Sequence, residues 1–542
     1  MRRIAAAALL FISTGCGGPT GPGSDAPGDF DWWRGERRQR QERLSAYLET
    51  HHLDYQSFKN APLGSSGVPI VLFRLFPELM PDIWGAPAEG MAPQGFGPDL
   101  LEPERVLPLG LGHTPSNTPL QTPSGPVRLG VVNLTCMGCH GGRVVGPDGK
   151  VQVLVGAPNT QFNQFRWAVN RTVLHPAYTA DNFRSALAAK PMGWLYGDSD
   201  LLLQEVVERS IFMAPGTAEQ FLDNLKTRAL SGTARIEATL GAYPYAVPNA
   251  PSLWTPKSGY LDAVVGLAPL YDTSLPPGTL RTILPPAPAE VDIMSTWMQA
   301  ERPAGQWDGS MPAPIHRNIG AEFAIVGSVP AVNLDNAIRG MRLDHGLPPP
   351  PYPFDVDGAA AQRGQGLYER HCLTCHRAGN ATIYPQEQMG TDPNRARVWS
   401  PAIVATLAGS MREACADPVA CSNADGTPLR TDQILRSTGG YMALPLAGIW
   451  ARAPYLHNGS VPTLHALLTG DRPRTFWRGN LTYDRARVGF SYEQPSAGAT
   501  FFDTSLSGAS NAGHDTREIN GPIDWARDTA ALHDLLEYLK TL

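Results

Sequence analysis

Residues 359–376 read AAAQRGQGLYERHCLTCH. Ala359 to Arg370 is a run of helix formers that leads straight into Cys372-Leu373-Thr374-Cys375-His376. Two thiols three positions apart share one helical turn, and the next residue presents an imidazole. That arrangement suits covalent attachment of a c-type haem: each thiol adds to one vinyl group and the histidine lies under the iron. The same pattern stands earlier as Cys136-Met137-Gly138-Cys139-His140. Zinc ligation, a redox dithiol and chance are the competing readings. A zinc site needs four ligands close together, whereas the two sets lie 236 residues apart. Cys136, Cys139, Cys372 and Cys375 are therefore read as the anchors of two haem c groups, with His140 and His376 as axial ligands.

Working outward, the residues around these motifs suggest a mainly α fold with two cytochrome c-like haem domains and long loop-rich insertions. Gly346 to Pro353 contains four consecutive prolines and reads as a stiff connector. It divides 101–345, the first haem domain, from 346–542, the second. Arg527 to Leu542 closes the chain as a one-faced helix carrying Leu532, Leu535, Leu536 and Leu539. Arg34 to Phe58 reads as a helical clasp, Ser199 to Leu240 as helix, and Glu290 to Glu301 as a short helix. Glu102 to Pro126 reads as a covering loop, and strand signals are sparse.

With 542 residues the chain calls for more than one domain. Gly (55) and Pro (51) make up about a fifth of it, enough for long loops but short of a low-complexity chain. A net charge of −6 gives no polycationic footprint for nucleic acid. At the start, Arg2 and Arg3 precede the short apolar run Ile4 to Ile12 and then Ser13-Thr14-Gly15-Cys16. This is the pattern of a lipoprotein signal peptide over 1–15, with lipidation at Cys16. Ser13 departs from the usual Leu, and ordinary cleavage is the alternative. Residues 16–100 then form a tether and a helical extension. Export to the periplasm or outer membrane of a Gram-negative bacterium follows, with contact to the membrane only through the lipid. In an oxidising compartment Cys415 and Cys421 read as a local disulfide.

Tyr441 to Leu464 reads YMALPLAGIWARAPYLHNGSVPTL. It resembles the signature of bacterial dihaem cytochrome c peroxidases and their relatives, the methylamine-utilisation dihaem enzyme and the rubber oxygenases. Asn249-Ala250-Pro251-Ser252-Leu253 and Trp307-Asp308-Gly309-Ser310 resemble peroxidase segments. Arg317-Asn318-Ile319-Gly320, Gly390-Thr391-Asp392-Pro393, Phe502-Asp503-Thr504-Ser505-Leu506 and Ser510-Asn511-Ala512-Gly513-His514 resemble the rubber-oxygenase-like branch. The resemblance implies a reactive first haem and a six-coordinate second haem that relays electrons. Where the peroxidases carry a distal Met, this chain has Asp471 and no Met close by. This departure favours a His, and the resemblance to the rubber-oxygenase-like branch, where a C-terminal Ser-Asn-x-Gly-His is the donor, implies His514 as the leading distal ligand of the second haem, ahead of His457 and Met442. His457 is otherwise a buried polar residue between the haems, flanked by Tyr455. Trp307 and Trp254 compete for the aromatic position there, and core packing is the alternative for both. Arg395 and Arg397 are candidates for haem propionates, with surface exposure as the alternative. A structural calcium is a further candidate cofactor. His175 and His316 read as loop residues.

The expected activity is peroxide reduction at the first haem, with electrons from a small cytochrome c or cupredoxin-like donor entering through the second. A dioxygenase cleaving alkenes such as polyisoprenoids is the alternative, and a non-catalytic electron carrier is the third reading.

Overall fold

The computed structural model describes residues 29–64, 67–85, 99–122, 125–158, 162–241, 260–262, 289–326, 331–414, 422, 425, 427–496, 499–514 and 523–542. Cys16, Trp254, Cys415 and Cys421 lie outside them.

The helix Gly358–His371 and the terminal helix Thr529–Lys540 make the closest helix pair of the C-terminal half. Each starts on an aspartate whose carboxylate accepts from a first-turn amide: Asp357 from Ala360 and Asp528 from Ala531. Leu532, Leu535, Leu536 and Leu539 form the buried stripe, each worth about 1.5–3 kcal/mol on burial. Gly364 lets the backbones touch; a Cβ there would sit 1.9 Å from the Asp534 carbonyl oxygen. Arg363 pins the same spot with a bidentate pair to Asp534 at 2.8 and 2.7 Å.

The N-terminal helix Asp29–Thr50 is polar along its length but turns Trp33 fully inward. The Trp33 indole N–H donates to the Phe354 carbonyl at 2.8 Å, and Tyr47 Oη donates to the Leu343 carbonyl at 2.8 Å. Arg37 and Arg40 donate to the carbonyls of Pro353 and Thr541. This helix therefore clasps the proline-rich connector, as its sequence suggests. The next helix, His52–Asn60, packs on Ala331–Gly346 and carries the buried Phe58.

One buried cluster crosses the connector. It joins Met137, Leu154, Trp297 and Leu343 to Tyr352, Trp450 and Leu535. A second, N-terminal cluster gathers Ile70, Phe76, Trp84, Phe183 and Phe212 over a three-stranded antiparallel sheet. In that sheet Gly130–Leu134 lies between Val68–Pro69 and Leu111–Pro115, and it delivers the chain into Cys136.

Two expectations need correction. Glu102 to Pro126 is not only loop: Leu111–Pro115 is paired, and Leu120–Thr122 forms a hairpin with Gly125–Val127. Glu290 to Glu301 is not a helix but a strand, Glu290–Asp292, and a 3-10 turn, Gln299–Glu301. Its amides are committed elsewhere. Asp292 donates to His457, Thr296 to Gly156 and Met298 to Leu347, at 2.7, 3.0 and 3.0 Å. Long-range partners thus replace the helical ladder that local spacing favours. The Ser199 to Leu240 region is helical as expected, in Leu202–Met213 and Thr217–Gly241.

Candidate functional site

The second Cys-x-x-Cys-His motif opens onto a cavity with an empty volume of ≈ 1560 Å³, including its mouth to solvent. Cys372, Cys375, His376, Trp307, Trp525 and His514 are among its walls. Helix Gly358–His371 aims the motif, and the four-residue helix Leu373–His376 ends on the histidine. His376 Nδ1 lies 2.7 Å from the Leu444 carbonyl oxygen, so Nδ1–H donates and Nε2 keeps its lone pair for a metal. Burial, with His514 adding to it, pushes the His376 pKa down to about 4, so the ring is neutral at neutral pH, the ligating form.

His514 faces His376 across the cavity. The two ring centroids are 6.1 Å apart and the planes differ by 37°. Two imidazoles on opposite sides of one metal ion, each with a metal–nitrogen distance of about 2.0 Å and a ring centre roughly 1.1 Å beyond, stand about 6.2 Å apart. The pair therefore fits a single iron between them. The loop is built to hold this: His514 adopts φ 55°, and its amide donates to the Met389 carbonyl at 3.1 Å. Gly513, at φ 93°, presses so close that a Cβ would fall 2.4 Å from the Thr391 nitrogen.

The other two distal candidates, His457 and Met442, also line this cavity, but each is held by its own neighbours. The His457 ring lies 4.5 Å from that of Tyr441, tilted by 30°, with Nε2 3.3 Å from the Tyr441 hydroxyl and Nδ1 3.4 Å from Thr391 Oγ1. Burial, then the charge of Arg395, pushes its pKa down to about 3. Met442 packs onto Gly309, where a Cβ would approach its sulfur to 2.5 Å. Tyr455 is buried, and its single hydroxyl proton is shared between the carbonyls of Ile449 and Val488, 3.3 and 3.2 Å away, which ties down the loop. The Trp307 indole N–H donates to the Asp292 carbonyl at 2.8 Å.

At the first motif, Cys136–His140 is a single helical turn. Gly138 is required there, because a Cβ would come 2.8 Å from the Gly110 carbonyl oxygen. Burial first, then Arg317, pushes the His140 pKa down to about 3, and burial pushes the Cys139 thiol up to about 12. The Met294 backbone faces the ring, although His140 Nδ1 makes no hydrogen bond of good geometry. The ring near His140 is the Phe58 phenyl, with centroids 6.4 Å apart and planes at 36°.

A repeat with a 150-residue offset relates residues 290–312 to 440–462, and sequence reasoning missed it. Strand Glu290–Asp292 corresponds to Gly440–Met442. Met294 corresponds to Leu444, whose carbonyl orients His376. The left-handed Met298 and Gln306 (φ 49° and 67°) correspond to Gly448 and Leu456 (both φ 67°). The Gly305–Met311 bridge corresponds to Tyr455–Val461. Buried Arg302 corresponds to buried Arg452, and Trp307 to His457. The visible signal was small: Trp307-Asp308-Gly309-Ser310-Met311-Pro312 against His457-Asn458-Gly459-Ser460-Val461-Pro462.

Arg395 is buried and holds Asp308 at 2.6 and 3.2 Å, which commits its guanidinium to a protein carboxylate. His316 is not a loop residue; it is buried on helix Pro314–Val326. His175 follows helix Phe162–Leu174 and lies 3.3 Å from Asp82. Among the described residues no group of three or more His, Cys, Asp and Glu is placed to hold a metal ion. No described helix is long and apolar enough to cross a membrane.

Two families match. One, described as RoxA-like, cytochrome c-like, covers residues 440–478. The other, a Y4iN-like domain, covers residues 53–140 and ends on His140. Three Sinorhizobium fredii proteins, all uncharacterised, are similar. Protein y4iM is 37% identical over 309 residues, which cover 52% of this chain and 71% of y4iM. Protein y4iJ is 26% identical over 534 residues, 83% of this chain and 82% of y4iJ. Protein y4iN is 35% identical over 129 residues, 20% of this chain and 62% of y4iN. The 440–478 match takes in Leu444, Arg452 and His457. It relates the chain to the rubber-oxygenase-like dihaem proteins and supports haem c and haem oxidoreductase chemistry.

Proposed function

The chain belongs to the family of the uncharacterised Sinorhizobium fredii protein y4iM, and on that premise we propose that it is an exported dihaem c-type oxidoreductase with two unequal haem sites. Cys136, Cys139 and His140 hold one haem, and Cys372, Cys375, His376 and His514 hold the other, each within a cytochrome c-like domain. The observation that carries this reading is the 6.1 Å spacing of His376 and His514. It closes the second site on both faces, which suits a relay that exchanges electrons with little rearrangement. At the first site the nearby ring is Phe58, which has no lone pair to offer.

Haem iron supplies the one-electron chemistry and, where a coordination position is free, a site for peroxide or dioxygen. The chain orients the His376 imidazole through the Leu444 carbonyl, keeps both proximal imidazoles neutral by burial, and lines the second site with largely apolar walls. Peroxide reduction, with a small cytochrome c or cupredoxin-like donor at the second site, is the leading activity. The RoxA-like match and the phenyl near His140 favour a second reading, oxygenation of an apolar alkene. Export and lipidation at Cys16 complete the proposal, because haem c and the Cys415–Cys421 pair suit an oxidising compartment.

A pyridine haemochrome assay tests the foundation. Two haems per chain, retained after acid–acetone extraction, are expected; one or none would overturn the dihaem reading.

A further inference from the structure

Four arginines among the described residues are buried: Arg302, Arg395, Arg452 and Arg478. Two have carboxylate partners, Arg395 with Asp308 at 2.6 Å and Arg478 with Asp292 at 2.8 Å. Arg302 and Arg452 meet no carboxylate within salt-bridge distance among the described residues. Arg302 donates to the Ser295 carbonyl at 2.8 Å and to Ser295 Oγ at 3.0 Å. Arg452 donates to the carbonyls of Pro445, at 2.9 Å, and Ala447. Its Nε is buried with no hydrogen-bond partner.

These two residues are 150 positions apart and occupy equivalent places in the repeat. Even their acceptors correspond, since Ser295 and Pro445 share the same offset. Neutral carbonyls stabilise a guanidinium but do not balance its charge. Arginine cannot shed its proton, and an unbalanced buried charge costs several kcal/mol. The two cations also repel each other, because each lies within the other's field. Asp344 and Glu301 offset part of this at Arg302, and Glu301 at Arg452, but only through their fields and with no salt-bridge contact, so a carboxylate from outside the polypeptide could still pair directly with each guanidinium. Arg452 lines the cavity that holds Cys372, Cys375 and His376. Its charge is felt at His376, and that of Arg302 at His140.

We propose that Arg302 and Arg452 are the propionate-binding residues of the first and second haem, one for each, and that they raise the midpoint potential of the haem they serve. This rests on the dihaem reading above. Haem would bring carboxylates able to make the direct contact that Glu301 and Asp344 do not make, and a guanidinium binds a carboxylate through two parallel hydrogen bonds.

The test is haem-resolved redox potentiometry on the haem-loaded protein carrying Arg452→Met or Arg302→Met, with the Lys variants beside them. Removing a positive charge favours the more positive ferric state, so the potential should fall. Arg452→Met should lower the His376 haem more than the other, Arg302→Met should do the reverse, and Lys should retain part of the effect. Unchanged potentials, or equal shifts of both haems, would overturn the proposal. If the Met variants do not accumulate, resonance Raman of the Lys variants decides. One propionate-bending band should move in each, and identical bands would overturn it. Failure of the dihaem reading is distinguished by absence of haem in the wild type.

Discussion

Trp307 and His457 occupy one position in two copies of the same loop, and the carbonyl of each accepts a hydrogen bond from the other copy's strand. Met442 donates to Trp307 at 2.9 Å, and Asp292 donates to His457 at 2.7 Å. The exchange is a local two-fold relation built into a single chain. Both side chains line the cavity of the second motif, and each bond contributes about 0.5–1.5 kcal/mol.

His457 should make the protein acid-sensitive in a measurable way. Its pKa is pushed from 6.5 down to about 3 by burial, then by Arg395. Between those values the unfolded chain binds a proton that the folded chain does not. Stability therefore falls as pH drops from 6.5 toward 3, by about 1.4 kcal/mol per pH unit for this one group. Urea unfolding at stepped pH should lose that one-proton slope in His457→Gln. An unaltered slope would mean that the imidazole titrates freely in the folded protein.

Gly364 should tolerate no side chain. Ala there would overlap the Asp534 carbonyl and separate the two helices that aim the second motif. Gly364→Ala should destabilise by about 1–3 kcal/mol. Gly409, on helix Pro401–Ala414 with open space around it, is the control, and Gly409→Ala should be neutral or stabilising by about 0.5–1 kcal/mol. Equal thermal shifts for both variants would refute the close-approach argument.

Metabolic labelling with palmitate should mark the wild type and not Cys16→Ala. Equal incorporation would remove the lipid anchor from the account and leave ordinary export.

The motifs and the flanking helices were legible in the sequence because their signals are local. Cys372 to His376 follows a run of helix formers, and Leu532 to Leu539 repeats at helical spacing. His514 was legible in part, through the Gly513 beside it and the missing Met. The repeat was not, because most of what is shared lies in the backbone. Gln306 and Leu456 have unrelated side chains and the same φ of 67°. Glu290–Asp292 was read as helix because a three-residue strand is too short for alternation to register, and its amides find partners far along the chain. Nothing in the sequence pointed to Phe58, which reaches His140 only through packing of the helix that carries it.

The most direct test of the unequal pair is EPR and optical spectroscopy of the ferric protein with cyanide, on the wild type and His514→Ala. The account predicts one low-spin bis-histidine signal that cyanide leaves untouched and one high-spin signal that cyanide converts. His514→Ala should turn the low-spin haem high-spin and open it to cyanide, while His457→Ala should not. Two low-spin haems inert to cyanide in the wild type, or a low-spin signal lost with His457 rather than His514, would contradict it.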